Sequence, residues 1–137
     1  CIRDRTYAAV SFTITTADDA LGRLVEPGAP MVTARFRAMR ILAENNILTG
    51  IVMMPILPFL EDKPQNIKDI VIRAVDNGAS YIIPSFGMTL RDRQREYNYN
   101  QLHRYFPGLR INNHHRFSNQ YFAPANNARM LQDTFAE

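Results

Sequence analysis

The segment between residues 10 and 58 constrains the fold more than any other part of the chain. A run of β-branched and aromatic residues at 7–14 leads into a helical stretch, and residues 47–54 then form an almost uninterrupted apolar run. Such a run is typical of a parallel strand that is covered on both faces. The order strand, helix, strand predicts a βαβ unit, in which the loops at the carboxyl ends of the strands are the usual ligand-binding places.

A second unit follows directly. Residues 66–76 carry apolar side chains on one helical face, an Asn-Gly pair ends that helix, and residues 80–86 read as the next strand. Short connections between alternating strands and helices imply parallel pairing, so we predict an α/β fold with a parallel βαβαβ segment over residues 1–88. Residues 89–137 form a second part, a basic, aromatic-rich and mainly helical extension.

Charge is unevenly divided between these two parts. Residues 1–88 carry nine basic and nine acidic side chains, whereas residues 89–137 carry seven basic and four acidic ones. A mild basic surface favours phosphate-bearing partners, although so small an excess is more common on an ordinary solvated face. Aromatic residues lie among these arginines, and they suit either the stacking of bases or the core of a small helical cap.

Several other classes of protein are disfavoured. Cys1 is the single cysteine, which excludes an internal disulfide or a cluster held by several thiolates of this chain. His114 and His115 are sequence neighbours, which rarely point at one ion, so we assign no metal site. No apolar run approaches the roughly 18 residues of a membrane span, and no signal-peptide core is present. We therefore expect a cytoplasmic protein without a membrane contact.

Polar residues near the predicted strand ends are candidates for ligand binding. Thr13 and Thr15 alternate with apolar residues, and their hydroxyl groups can hydrogen-bond a ribose or an amino-acid head group. Arg35 begins the next helical run, where a guanidinium can bind a carboxylate, and carbonyl groups of the Pro55 turn can accept a bond from an adenine amine. Plainer explanations stay open, because threonine favours strands, arginine favours surfaces and proline redirects the chain.

The order of these residues is more specific than any one of them. Thr-Ile-Thr-Thr at 13–16 is followed by Glu26-Pro27, Ala29-Pro30, Arg35-Phe36, then Pro55-x-x-Pro58-x-x-x-Asp62 and Asn77-Gly-Ala79. This succession resembles the radical S-adenosylmethionine (SAM) superfamily, and within it the spore photoproduct lyase-like branch. The resemblance covers nearly the whole chain and loosens beyond residue 109. Phe36 replaces the usual leucine, and the cysteine expected near residue 123 is absent.

The resemblance implies a partial (β/α)6, TIM-like barrel in which SAM lies across the carboxyl ends of the strands. Thr13 and Thr15 would face the methionine or ribose of SAM, and Arg35 would approach its carboxylate. Glu26 would shape the adjoining loop, and Pro55 would border the adenine. In the family, a CxxxCxxC segment holds the [4Fe–4S] cluster that cleaves SAM to a 5′-deoxyadenosyl radical, and this sequence lacks that segment.

We therefore expect the carboxyl-terminal half of a radical SAM enzyme, beginning just before the fourth strand and inactive without its amino-terminal half. The family name implies a nucleic-acid substrate. Two alternatives stay open, a non-enzymatic βα interaction module or decayed fragment, and a basic nucleic-acid-binding protein. A half barrel would leave the first strand with an open edge and Ile51, Met53 and Ile82 partly uncovered, so we expect the isolated chain to self-associate.

Overall fold

The structure, a computed structural model, describes residues 7–89, 91–109 and 121–136. Its centre is a parallel sheet of β1 (Ala9–Thr13), β2 (Leu48–Met53) and β3 (Tyr81–Pro84), in the order β1-β2-β3. Helices α1 (Asp19–Val25) and α2 (Val32–Glu44) connect β1 to β2, and α3 (Pro64–Asp76) connects β2 to β3. The predicted α/β class and the parallel order of the strands are confirmed.

A smaller antiparallel ribbon follows, which the sequence did not predict. It pairs β4 (Gly87–Thr89) with β5 (Phe122–Pro124), and helix α4 (Asp92–Tyr105) lies between them in the chain. Strands of three residues are too short to show an alternating pattern. Helix α5 (Ala128–Ala136) ends the described part, in which no helix has the length and apolarity needed to cross a membrane.

The ends of the helices follow local sequence signals. The side chain of Asp18 accepts a hydrogen bond of 2.8 Å from the amide of Ala20 and so caps α1. Pro64 occupies the first turn of α3, where a missing amide hydrogen costs nothing. After α2 and α3 the chain turns through Asn46 and Gly78, which have φ angles of 59° and 81°.

The main core lies between one face of the sheet and helices α2, α3 and α5. Each fully buried large apolar side chain in it stabilises the fold by roughly 1.5–3 kcal/mol. Helix α5 packs against α3 and adds Leu131 to this core. The strands contribute Phe12, Ile51, Met53 and Ile82, and the helices contribute Phe36, Met39, Ile67, Ile70 and Leu131.

The expectation that Ile51, Met53 and Ile82 lie on an uncovered face is wrong. Ile51 and Met53 are fully buried, and Ile82 packs against the same core. Because side chains alternate along a strand, a change of one residue in the assignment moves a strand's whole apolar set to the other face. The uncovered face is therefore the opposite one.

That opposite face, which we call the bare face, is not covered by any described helix. Leu48 of β2 is 50% exposed and Ile83 of β3 is 49% exposed, while Val52, which is paired with Ile83, is partly buried. On β1 the same face carries Ser11 and Thr13, both exposed. Within the described residues β1 and β3 each pair with one strand only, so the sheet also has two open edges.

Candidate functional site

Polar side chains gather at the carboxyl ends of β1 and β2. Beyond Thr13 the chain continues into Ile14, Thr15 and Thr16, which are all buried. Beyond β2 it continues into residues 54–60, which we call the 54–60 loop. Parallel strands end at the same edge of a sheet, so these two segments lie side by side where α/β folds bind ligands.

Arg35 joins three separate segments at this edge. Its Nη1 donates a hydrogen bond of 2.8 Å to the carbonyl of Thr13, and its Nε donates one of 3.0 Å to the carbonyl of Pro30. Its Nη2 lies 2.5 Å from Oε2 of Glu26. The structure thus brings together three predicted site residues: Thr13, Glu26 and Arg35.

The same contacts define what Arg35 can bind. Its side chain is only 12% exposed, whereas that of Glu26 is 31% exposed. A guanidinium has five donors in a planar fork, which binds a carboxylate through two of them. A ligand carboxylate would therefore take the place of the Glu26 carboxylate, while the two bonds to main-chain carbonyls hold the guanidinium in position.

Thr15 belongs to a different cluster. The strand ends at Thr13, so the alternation that would place Thr15 beside it does not continue. Thr15 is instead buried, and its hydroxyl donates a hydrogen bond of 2.7 Å to Oε1 of Glu61. The other carboxyl oxygen, Oε2, accepts a bond of 2.9 Å from the amide of Leu57. Sequence reasoning did not select Glu61.

Glu61 is a fully buried carboxyl group with an altered acidity. Burial raises its pKa to about 7, and the nearby carboxylates of Glu26 and Asp62 add to the rise. The hydrogen bonds from Thr15 and Leu57 act in the opposite direction, because they favour the charged form. The penalty for taking a charge out of water is the larger effect, so this group titrates near neutrality.

Asn66, in the first turn of α3, fastens both strand-end segments. Its Nδ2 donates hydrogen bonds of 2.9 Å to the carbonyls of Thr15 and Glu61, and its Oδ1 accepts one of 2.9 Å from the amide of Ala17. One side chain thus satisfies three main-chain groups that the end of β1 and the start of α3 would leave without partners. Asn66 is a positioning residue that the sequence alone did not reveal.

Pro55 lies on the exposed side of the 54–60 loop and belongs to neither the Arg35 nor the Glu61 cluster. The peptide bond that precedes it is cis. Ile56 and Pro58 are buried and anchor the loop, and the amide of Glu61 donates to the carbonyl of Leu57 at 3.0 Å. The loop therefore presents Pro55 to solvent on a fixed base.

A row of three residues crosses the bare face. Ser11, Gly50 and Tyr81 are paired in register on β1, β2 and β3. The hydroxyl groups of Ser11 and Tyr81 share a hydrogen bond of 2.7 Å. The Tyr81 ring therefore lies over Gly50, where a Cβ atom would come within 2.3 Å of the ring. Gly50 is required so that this ring can lie flat on the sheet.

An apolar groove of about 100 Å³ lies between the end of α1, the 54–60 loop and α4. Leu57 and Leu60 form its wall on the loop side, and Tyr97 and Tyr105 form part of the α4 side. The aromatic residues of the second part are divided, because Tyr99 is buried while Tyr97 and Tyr105 are exposed. Buried Tyr99 is thus consistent with the core of a helical cap, and exposed Tyr97 and Tyr105 are consistent with the stacking of bases.

Metal binding has no candidate in the described part of the chain, where no group of three or more His, Cys, Asp or Glu side chains is placed to hold an ion. Cys1, His114 and His115 lie outside the described residues. Comparisons of the chain with protein-family models, with curated proteins and with solved structures found no match.

Proposed function

We propose that this chain forms the carboxyl-terminal part of the barrel of a radical SAM enzyme of the spore photoproduct lyase-like type, where it supplies SAM-binding and substrate-facing walls. One observation supports this most. A parallel sheet is covered by helices on one face, bare on the other, and carries a polar cluster at the carboxyl ends of its strands. A section of a (β/α) barrel has this arrangement, because its inner face borders the lumen.

The groups at the strand ends fit the chemistry of SAM. Arg35 would receive the carboxylate of SAM in exchange for Glu26, and the exposed hydroxyl of Thr13 would meet its methionine or ribose part. Thr15 would set the position of the strand end through its bond to Glu61. Carbonyl groups beside Pro55 would accept a hydrogen bond from the adenine amine.

The cysteine count indicates which half of the proposed enzyme would hold the cluster. SAM supplies the radical chemistry when it is bound next to a [4Fe–4S] cluster. This chain has one cysteine, so the amino-terminal half would hold that cluster. The residues described here bind and orient, and the bare face around Tyr81 would exclude water from the substrate. The proposal is tested by measuring SAM binding to the proposed full-length enzyme and to its Arg35 and Arg40 variants.

A second function, an interaction module without catalysis, is favoured by the bare face itself. Leu48 and Ile83 are large apolar side chains that are half exposed on an uncharged surface. The register places Leu48, Tyr81 and Ile83 on this same face. Exposed apolar surface can mark an interaction site, and open sheet edges invite pairing with another chain. A second copy of the chain can cover the bare face and pair with an open sheet edge at the same time.

We therefore predict that the isolated chain self-associates through the bare face. Ile83→Lys should shift it towards the monomer, because a charge would be buried in the contact. Ile72→Lys is the matched control, since Ile72 is 58% exposed on α3, on the helical side of the sheet. Sedimentation over a range of concentrations measures the effect. A wild-type chain that is monomeric at every concentration would contradict this prediction.

A further inference from the structure

One buried side chain links two segments that are far apart in sequence. Glu61 accepts a hydrogen bond from the hydroxyl of Thr15 at the end of β1, and another from the amide of Leu57 in the 54–60 loop. We propose that this Thr15–Glu61–Leu57 bridge is a pH-responsive latch. It holds the loop against the end of β1 while Glu61 is protonated, and it lets the loop open when Glu61 is charged.

The surroundings of Glu61 disfavour its charge when the latch is closed. The charged groups that act on it are Glu26, after α1, and the adjacent Asp62, and both are acidic. In the described part of the chain the structure shows no cation paired with Glu61, because Arg35 is turned to Glu26 and Lys63 is exposed. A buried carboxylate without a paired cation lowers its free energy when it becomes exposed to water.

Protonation of Glu61 removes the cost of burying its charge, and it does not break the Thr15–Glu61–Leu57 bridge. A neutral carboxyl group can donate one hydrogen bond and still accept another, so it can satisfy both the Thr15 hydroxyl and the Leu57 amide. Burial raises the pKa of Glu61 from 4.5 to about 7. The closed latch therefore binds its proton more tightly than an open one, in which Glu61 is solvated and has its ordinary pKa.

Opening of the latch would change a surface that is suited to binding. Leu57 and Leu60, at either end of the turn that Glu61 holds, form the loop side of the apolar groove. The shape of that groove would thus depend on pH around neutrality. This inference goes beyond the proposed function, because it requires neither SAM nor a cluster.

Amide hydrogen exchange measured by NMR tests the latch in the unaltered chain. Between about pH 5 and about pH 8, protection of the Leu57 amide, corrected for the intrinsic exchange rate, should fall on the order of 50- to 100-fold. Ile51, in the central strand, reports global unfolding and should stay better protected than Leu57. In Glu61→Gln, protection of Leu57 should no longer depend on pH, while Glu44→Gln, at an exposed position, should behave as the wild type.

Three results would overturn the latch. Equal protection of Leu57 and Ile51 at every pH would mean that Glu61 is released only when the whole chain unfolds. An unchanged pH dependence in Glu61→Gln would assign the effect to another group. If that variant does not fold, the Glu61 carboxyl carbon is titrated in the wild type, where a midpoint near 4.5 contradicts the latch and one near 7 supports it.

Discussion

Replacing Asn66 with alanine should lower the free energy of unfolding by about 3 kcal/mol. The substitution removes three hydrogen bonds and leaves the amide of Ala17 and the carbonyls of Thr15 and Glu61 without these partners. Each net bond contributes roughly 0.5–1.5 kcal/mol, and a buried group left unsatisfied costs more. Chemical denaturation at constant pH measures the loss.

The neighbouring Gln65 provides a matched control for this variant. Gln65 also lies in the first turn of α3, but it is exposed, and its Nε2 donates a hydrogen bond of 2.7 Å to Asp69 one turn later. Such a pair is worth about 0.2–0.5 kcal/mol, so Gln65→Ala should change stability little. Similar losses in Asn66→Ala and Gln65→Ala would show that Asn66 does not hold the strand ends together.

The stability of the chain should carry a pH-dependent contribution from Glu61. The folded pKa of Glu61, about 7, is above its unfolded value, so its contribution is fully present below pH 4.5. As the pH rises, the unfolded chain releases this proton first, and the contribution is lost by the time the pH passes 7. The shift corresponds to a loss of roughly 3 kcal/mol.

The difference between wild type and Glu61→Gln isolates this contribution, because other groups also make the stability of the chain depend on pH. Hydrogen bonds from Thr33 lower the pKa of Asp19, for example, and stability from that group is lost as the pH falls. Unfolding free energies are measured for both proteins at a series of pH values. As the pH rises, the wild type should lose stability relative to Glu61→Gln. A constant difference would mean that Glu61 has an ordinary pKa in the folded chain.

The sequence predicted the parallel βαβαβ order because its strands are clear apolar runs and its helices have one apolar face. Residues such as the Asn-Gly pair at 77–78 also mark where helices end. The sequence did not predict which face of β2 is covered. Residues 47–54 are apolar almost throughout, so they show no alternation that distinguishes the faces. Thr49, which looks like a surface residue, is fully buried, and its hydroxyl donates to the carbonyl of Gly78 at 3.2 Å.

The candidate site was predicted only in part, for a similar reason. Arg35 was predicted because it lies near a strand end, and Glu26 was predicted through the family resemblance. Their salt bridge and the bond from Arg35 to the Thr13 carbonyl depend on tertiary folding. Glu61 and Asp62 read as ordinary acidic residues before a helix. Their burial follows from the anchoring of the 54–60 loop, although the apolar run before them was a signal that could have identified them.

SAM binding tests the central proposal most directly. In the proposed full-length enzyme, Arg35→Ala should weaken SAM binding by roughly 1.5–3 kcal/mol, the range for hydrogen bonds to charged groups. Glu26→Gln should not weaken it, because that change removes the carboxylate that competes for the guanidinium. Arg40→Ala should have little effect, since Arg40 is exposed and bonds to the Asp76 carbonyl.

Calorimetric titration of the wild type and these three variants with SAM is therefore the decisive measurement, with thermal unfolding as a check that each variant is folded. The proposal predicts weakened binding in the folded Arg35→Ala variant alone. Absence of SAM binding to the wild type, or equal losses in Arg35→Ala and Arg40→Ala, would contradict it.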